Sequence, residues 1–289
     1  MQNNRPNERP QMKIFYRPEQ TTLGNVDSFS PSAGKPAQVV ASWLRLDPTA
    51  EVVGFEPLTR ADLTLAHDRS YVDGILDLKY TNGFGNKLAV VANALPYTTG
   101  SLYAAAHHAF TTKESAASPT SGFHHAGYDH SGGFCTFNGL MVAAQKLRRE
   151  DACASIGILD LDCHYGNGTD DIIDRLGLQY VVHYTFGGEK IHQQNADCWL
   201  EELPGILAQF AQCAVVLYQA GADPHVNDPL GGILTTEQLY ERDCLVFKAM
   251  KDMCVPVAWN LAGGYQKPIR KVLDLHDNTA RAFLALNQP

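Results

Sequence analysis

Residues Leu159–Gly168 read LDLDCHYGNG. It closes the run SIGILDLD (155–162), which has the composition of a buried strand. Asp160, Asp162 and His164 fall at i, i+2 and i+4, so in an extended chain they share one face, with Leu161 and Cys163 on the other. Ionisable groups at a buried strand end cost several kcal/mol unless something pairs with them.

The surrounding chain repeats a strand-then-helix pattern. Short β-rich runs occur at 12–16, 51–55, 155–162, 179–184, 214–221 and 255–264. Helical patterns lie between them at 36–46, 67–79, 100–110, 138–150, 198–212, 236–252 and 268–286. The strand runs are near-continuous Val, Ile and Leu, the mark of parallel strands buried on both faces. The expected architecture is one three-layer α/β/α domain with a mainly parallel central sheet, spanning 12–289 behind a loose N-terminal extension at 1–11. Ligands of such sheets bind outside the carboxyl ends of the strands. Polar residues gather at three such ends, in DLDCHYGNG, QAGADPH and NLAGGYQ, while SGFHHAGYDHSGGFCTFNG (121–139) reads as a loop between helices.

Composition narrows the function. The net charge is −8, and the largest basic block is KLRRE at 146–150, so a direct nucleic-acid ligand is not expected. No apolar run reaches the ~18 residues of a membrane span. Seven cysteines without a C-x-x-C pair suit a reducing, cytoplasmic setting. Cys135, Cys153, Cys163, Cys213 and Cys254 sit in or beside apolar runs, where a small buried thiol is expected.

Asp162 and His164 on one strand, with Asp223 from the end of another, make a plausible three-ligand site for a divalent metal, open at one position as catalytic sites are. The plainer alternative is an Asp–His hydrogen-bonded pair plus a helix-capping Asp223 ahead of a turn at Pro224. Asp160 suits a carboxylate that orients a histidine, a monovalent-cation ligand, or a strand cap. His124 and His125 are adjacent in a glycine-containing loop and suit general base and acid chemistry. If Asp160 holds one and Asn167 the other, the pair is polarised unequally. Tyr265 follows two glycines and suits an oxyanion donor or a rim aromatic. Phe134, after Gly132 and Gly133, suits a channel wall or the first core aromatic of the next helix.

Taken together, HHA, GGFCTFN, DLDCHYGNG, AGADPHVNDPLGG and AGGY occur in the order and at the spacings of the histone deacetylase / acetylpolyamine amidohydrolase family, which the chain resembles over roughly 60–285. LAHDRSYVDGIL also looks like that family's early helix. The resemblance implies the arginase–deacetylase fold and a zinc-dependent amide hydrolase acting on acetyl-lysine or a similar acylated amine. It implies one Zn²⁺ held by Asp162, His164 and Asp223, and a K⁺ held by Asp160 and the backbone around Asp162 and His164. His124 and His125 would be the catalytic pair, with Asp160 and Asn167 as their respective partners, His125 the base. Tyr265 would polarise the acyl carbonyl. Phe134 would wall the acyl-lysine tunnel, and the Gly133 backbone would contact the substrate amide.

Departures from the family are specific. Asn167 follows the class II pattern. Tyr165 stands where many members have a second histidine. TFGGEKIHQQ after Tyr184 does not match the usual FPGTG loop, so the second aromatic wall is unassigned, and SFSPSAGKP replaces HPE.P.R. Leu230 stands where polyamine-selective members carry an acidic gatekeeper, which disfavours polyamines. A small-molecule amidohydrolase and an inactive acyl-lysine-binding module are the alternatives.

Overall fold

The computed structural model describes residues 11–22, 28–151 and 155–286; the expected loose extension and Cys153 lie outside these, Gln11 apart. Seven strands form one sheet. They are β1 (Lys13–Phe15), β2 (Glu51–Val53), β3 (Ala116–Ser118), β4 (Ile156–Asp160), β5 (Val181–Thr185), β6 (Val216–Gly221) and β7 (Val257–Ala262). Their order is β2-β1-β3-β7-β6-β4-β5, and every pairing is parallel.

The helices are α1 (Lys35–Leu46), α2 (Arg60–Leu63), α3 (Arg69–Leu76), α4 (Ala89–Thr112), α5 (Gly139–Asp151), α6 (Asn167–Leu176), α7 (Ala196–Leu207), α8 (Thr236–Asp252) and α9 (Arg270–Ala285). They cover both faces of the sheet. One core holds Val39 and Trp43 of α1 with Leu203, Phe247 and Phe283, packed under Leu159, Tyr218 and Trp259 of the strands. The other holds Leu63, Ile75, Leu102, Leu140 and Ile172 against Ile158, Leu217 and Ala258. The central strands β4, β6 and β7 are buried along their whole length, which is why they read as mostly apolar runs without alternation. Among the described residues no helix is long and apolar enough to cross a membrane.

The sequence reading differs from the structure in a few places. β3 is the short run Ala-Ala-Ser, which lacks the β-branched residues that mark a strand. It is a strand because β1 and β7 pair with it on either side. Helix α4 begins at Ala89, well before 100, and runs through Pro96. Helix α6 starts inside a glycine-rich turn pattern that hides it. Cys163 is only half-buried and Cys254 is exposed, against the expectation of buried thiols.

Candidate active site

Four adjacent strands carry the site at their carboxyl ends. The chain leaving β3 reaches His124 and His125, that leaving β7 reaches Tyr265, that leaving β6 reaches Asp223, and that leaving β4 reaches Asp162 and His164. Segments distant in sequence therefore meet at one edge.

Asp162, His164 and Asp223 each present a ligand atom within 4.8 Å of the others. Both carboxylates are buried. Asp162 Oδ1 accepts the His164 amide at 2.9 Å, and His164 Nδ1 lies 2.9 Å from that oxygen and 3.0 Å from Asp223 Oδ2. Asp223 caps no helix; its Oδ1 accepts the Cys163 amide at 3.1 Å, and Thr235 caps α8. Asp223 Oδ2 is buried and receives no aligned hydrogen bond. Burial, then the charge of Asp162, push the Asp223 carboxyl upward. Burial also opposes ionisation of Asp162, but His124 and His164 outweigh it and hold that carboxyl low. Two buried carboxylates and an imidazole converging with an orphaned oxygen fit a divalent cation.

Main-chain geometry behind the triad is set by a buried arginine. Arg242 Nη1 donates to Leu161 O at 3.1 Å and to Gly221 O at 2.8 Å, while Asp243 Oδ1 takes its Nε at 2.9 Å. One guanidinium thus ties together the strand ends that precede Asp162 and Asp223. Gly263 completes the wall: a Cβ there would stand 2.2 Å from the Asp223 carboxylate, so only glycine lets the β7 end approach.

The two histidines are polarised unequally. His124 Nδ1 donates to Asp160 Oδ2 at 2.7 Å. Burial works against its charge, but Asp160 and Asp162 prevail and raise its pKa to about 9. His125 Nδ1 donates to the amide oxygen of Asn167 at 2.6 Å, leaving Nε2 free to accept a proton. Burial, reinforced by the neighbouring His124 charge, lowers its pKa. The rings lie 4.0 Å apart, and His125 is 5.8 Å from His164. Gly133, at φ +51°, is fitted to this ring, since a Cβ there would stand 2.2 Å from His125 Cδ2.

Asp160 is held by more than the histidine. Its Oδ1 accepts the Asp162 amide and Gln219 Nε2, both at 3.1 Å, and Asn260 Nδ2 reaches Gln219 Oε1 at 3.4 Å. Gln219 and Asn260 have no place among the residues the sequence reading singles out, although a polar side chain inside an otherwise apolar strand is a local signal. Asp228 was also missed. It accepts the Tyr265 amide at 2.7 Å and the Leu230 amide at 3.0 Å. Tyr265 is half-buried, and burial keeps its hydroxyl protonated well above the ordinary phenol range.

The remaining predicted positions lie around this cluster. Phe134 belongs to a loop, at φ +65°, not to α5, and its ring centroid is 5.8 Å from Tyr265. Gly133 is exposed and Leu230 is 40% exposed. Tyr165 turns outward to hydrogen-bond Asp170, whose other oxygen accepts His183 Nδ1 at 2.7 Å. Lys35, from the divergent SPSAGKP segment, is fully buried and donates to Gly263 O; burial lowers its pKa to about 8. The motif histidine His67 donates Nδ1–H to Gly127 O at 2.9 Å and accepts the Asn138 amide on Nε2 at 2.8 Å, bracing the histidine loop.

Fold and site together define a parallel α/β protein with an open metal-type cluster beside a histidine pair. Residues 34–199 match the family model described as the histone deacetylase domain. The chain is 30% identical over 251 residues to an uncharacterized protein of Picosynechococcus, covering 77% of this chain and 81% of that one. It is 27% identical to the chloroplastic histone deacetylase 10 of Oryza sativa, covering 81% of this chain and 63% of that one. Among solved structures, the HDA15 HD domain superposes with a TM-score of 0.75 at 18% identity, covering 96% of this chain and 88% of that one. The chain belongs to the histone deacetylase / acetylpolyamine amidohydrolase family and has the arginase–deacetylase fold. It is an amidohydrolase of that family with an Asp-His-Asp metal site.

Proposed function

We propose that the protein is a zinc-dependent deacylase that hydrolyses acetyl-lysine, or a similar acylated amine, to a carboxylate and a free amine. One observation carries this reading: the buried Asp162–His164–Asp223 cluster stands directly beside two histidines of opposite electrostatic bias.

Asp162, His164 and Asp223 would hold the zinc ion, which when bound supplies Lewis-acid polarisation and a more acidic water. His125, kept neutral by burial and by an uncharged amide partner, takes the proton of the attacking water on Nε2. His124, kept charged by Asp160, stabilises negative charge developing beside it and is the proton source for the leaving nitrogen. The Tyr265 hydroxyl donates to the oxyanion. A K⁺ beside Asp160 belongs to the same proposal. Both oxygens of that carboxylate are engaged by protein donors, so main-chain oxygens would be its principal ligands. Leu230 offers no carboxylate to a second ammonium, which favours acyl-lysine over acetylpolyamines.

The test is zinc content together with a substrate screen. The purified protein should carry one zinc per chain and hydrolyse acetyl-lysine peptides faster than acetylpolyamines. Asp223→Ala should lose both metal and turnover. Full zinc occupancy without hydrolysis of any acyl amine would overturn the reading, and faster turnover of acetylpolyamines would reassign the substrate.

A further inference from the structure

We propose that Phe29 is an apolar wall at the mouth of the substrate channel, its exposed ring face packing against the aliphatic stem of the acylated amine next to Phe134. This rests on the deacylase reading above. The segment following β5 does not furnish that wall. Its aromatic residue, Phe186, is 1% exposed and packs edge-on against Trp199 with ring centroids 4.6 Å apart, deep in the core.

Phe29 behaves in the opposite way. It precedes α1 in sequence and is 51% exposed, yet its ring is held at a defined place. Its centroid lies 5.7 Å from Tyr265 and 6.4 Å from Phe134, each at an interplanar angle of 24°. With the 5.8 Å separation of Phe134 and Tyr265, the three rings close a triangle at the oxyanion donor. Phe84 backs Phe134 at 6.1 Å. Local hydrogen bonds shape the segment: Ser30 N donates to Ser28 Oγ at 3.2 Å, and Ser30 Oγ to Ser32 Oγ at 3.0 Å.

Phe134 adopts a left-handed backbone conformation, which a bulky residue keeps only where its surroundings over-determine it. Its amide donates to Gly83 O at 3.2 Å. Two rings are therefore positioned beside Tyr265 while half of one remains open to solvent. That open aromatic surface adds nothing to the folded core and suits a slender stem of methylene groups.

The test compares a trifluoroacetyl-lysine peptide with trifluoroacetyl-methylamine, which has the same reactive amide but no stem. Phe29→Ala should raise KM for the peptide about tenfold with kcat within about twofold, and should leave kcat/KM for the methylamide within about twofold. Phe29→Leu should fall between. An unchanged KM for the peptide, or an equal loss on both substrates, overturns the proposal; the second result would mean that Phe29 only props Tyr265. Peptide binding, measured by calorimetry with Tyr265→Phe and with the Phe29→Ala/Tyr265→Phe double variant, should weaken about tenfold in the double variant. That arm is independent of turnover: a silent wild-type enzyme counts against the deacylase reading, and unchanged binding counts against Phe29.

Discussion

His124 donates Nδ1–H to Asp160 at 2.7 Å, and both side chains are buried. The carboxylate sustains a buried positive charge that its surroundings would otherwise expel. Asp160→Asn keeps the shape and removes the charge. Turnover of an acetyl-lysine peptide should fall ten- to a hundred-fold, on the order seen for partners of catalytic and metal-bound histidines. KM should hardly change, and steady-state kinetics check both parameters.

His125 faces an amide where its neighbour faces a carboxylate. A base must be neutral to act, so activity rises with pH through its pKa. Because that pKa is lowered, the acid limb of kcat/KM should lie below the ordinary imidazole value of 6.5. Asn167→Asp places a charge on Nδ1, stabilises the imidazolium, and should move the limb to higher pH. A pH–rate profile of the two proteins that shows no displacement would remove His125 as the base.

Arg242 sits under the site with its guanidinium spent on Leu161 O, Gly221 O and Asp243. Arg242→Met leaves a buried carboxylate and two carbonyls without that donor. The expected loss is about 3–5 kcal/mol of folding stability, measured by urea unfolding. Zinc retention in a chelator competition should also weaken, since the strand ends bearing Asp162 and Asp223 lose their tie.

His67 uses one ring nitrogen as donor and the other as acceptor, which leaves no room for a second proton. Burial lowers its pKa from 6.5 to about 4. Above pH 6.5 the group costs nothing; between 6.5 and about 4 the unfolded chain binds the proton first, and stability declines by up to about 3 kcal/mol. His276, also buried and depressed, adds in the same direction. The contribution of His67 is read by comparison: from urea midpoints, His67→Gln, though less stable at pH 7.5, should lose less stability than the wild type between pH 7.5 and 4.5.

The layered α/β plan was legible in the chain, because β4, β6 and β7 are buried on both faces and therefore read as mostly apolar runs rather than alternating ones. The sequence also marked Asp160, Asp162 and His164, since ionisable groups at i, i+2 and i+4 where a buried strand ends are costly unless paired, although β4 itself stops at Asp160 and the other two lie in the bend that follows. Tertiary structure decided the rest. β3 exists only through its partners on either side. Gln219 and Asn260 stand out locally only as polar residues inside apolar strands, while Asp228 and Arg242 act through contacts between segments far apart in the chain and carry no local pattern. Phe186 and Phe29 show the same limit: either could have faced the site, and only packing against Trp199 turned one inward while Tyr265 and Phe134 held the other beside the chemistry.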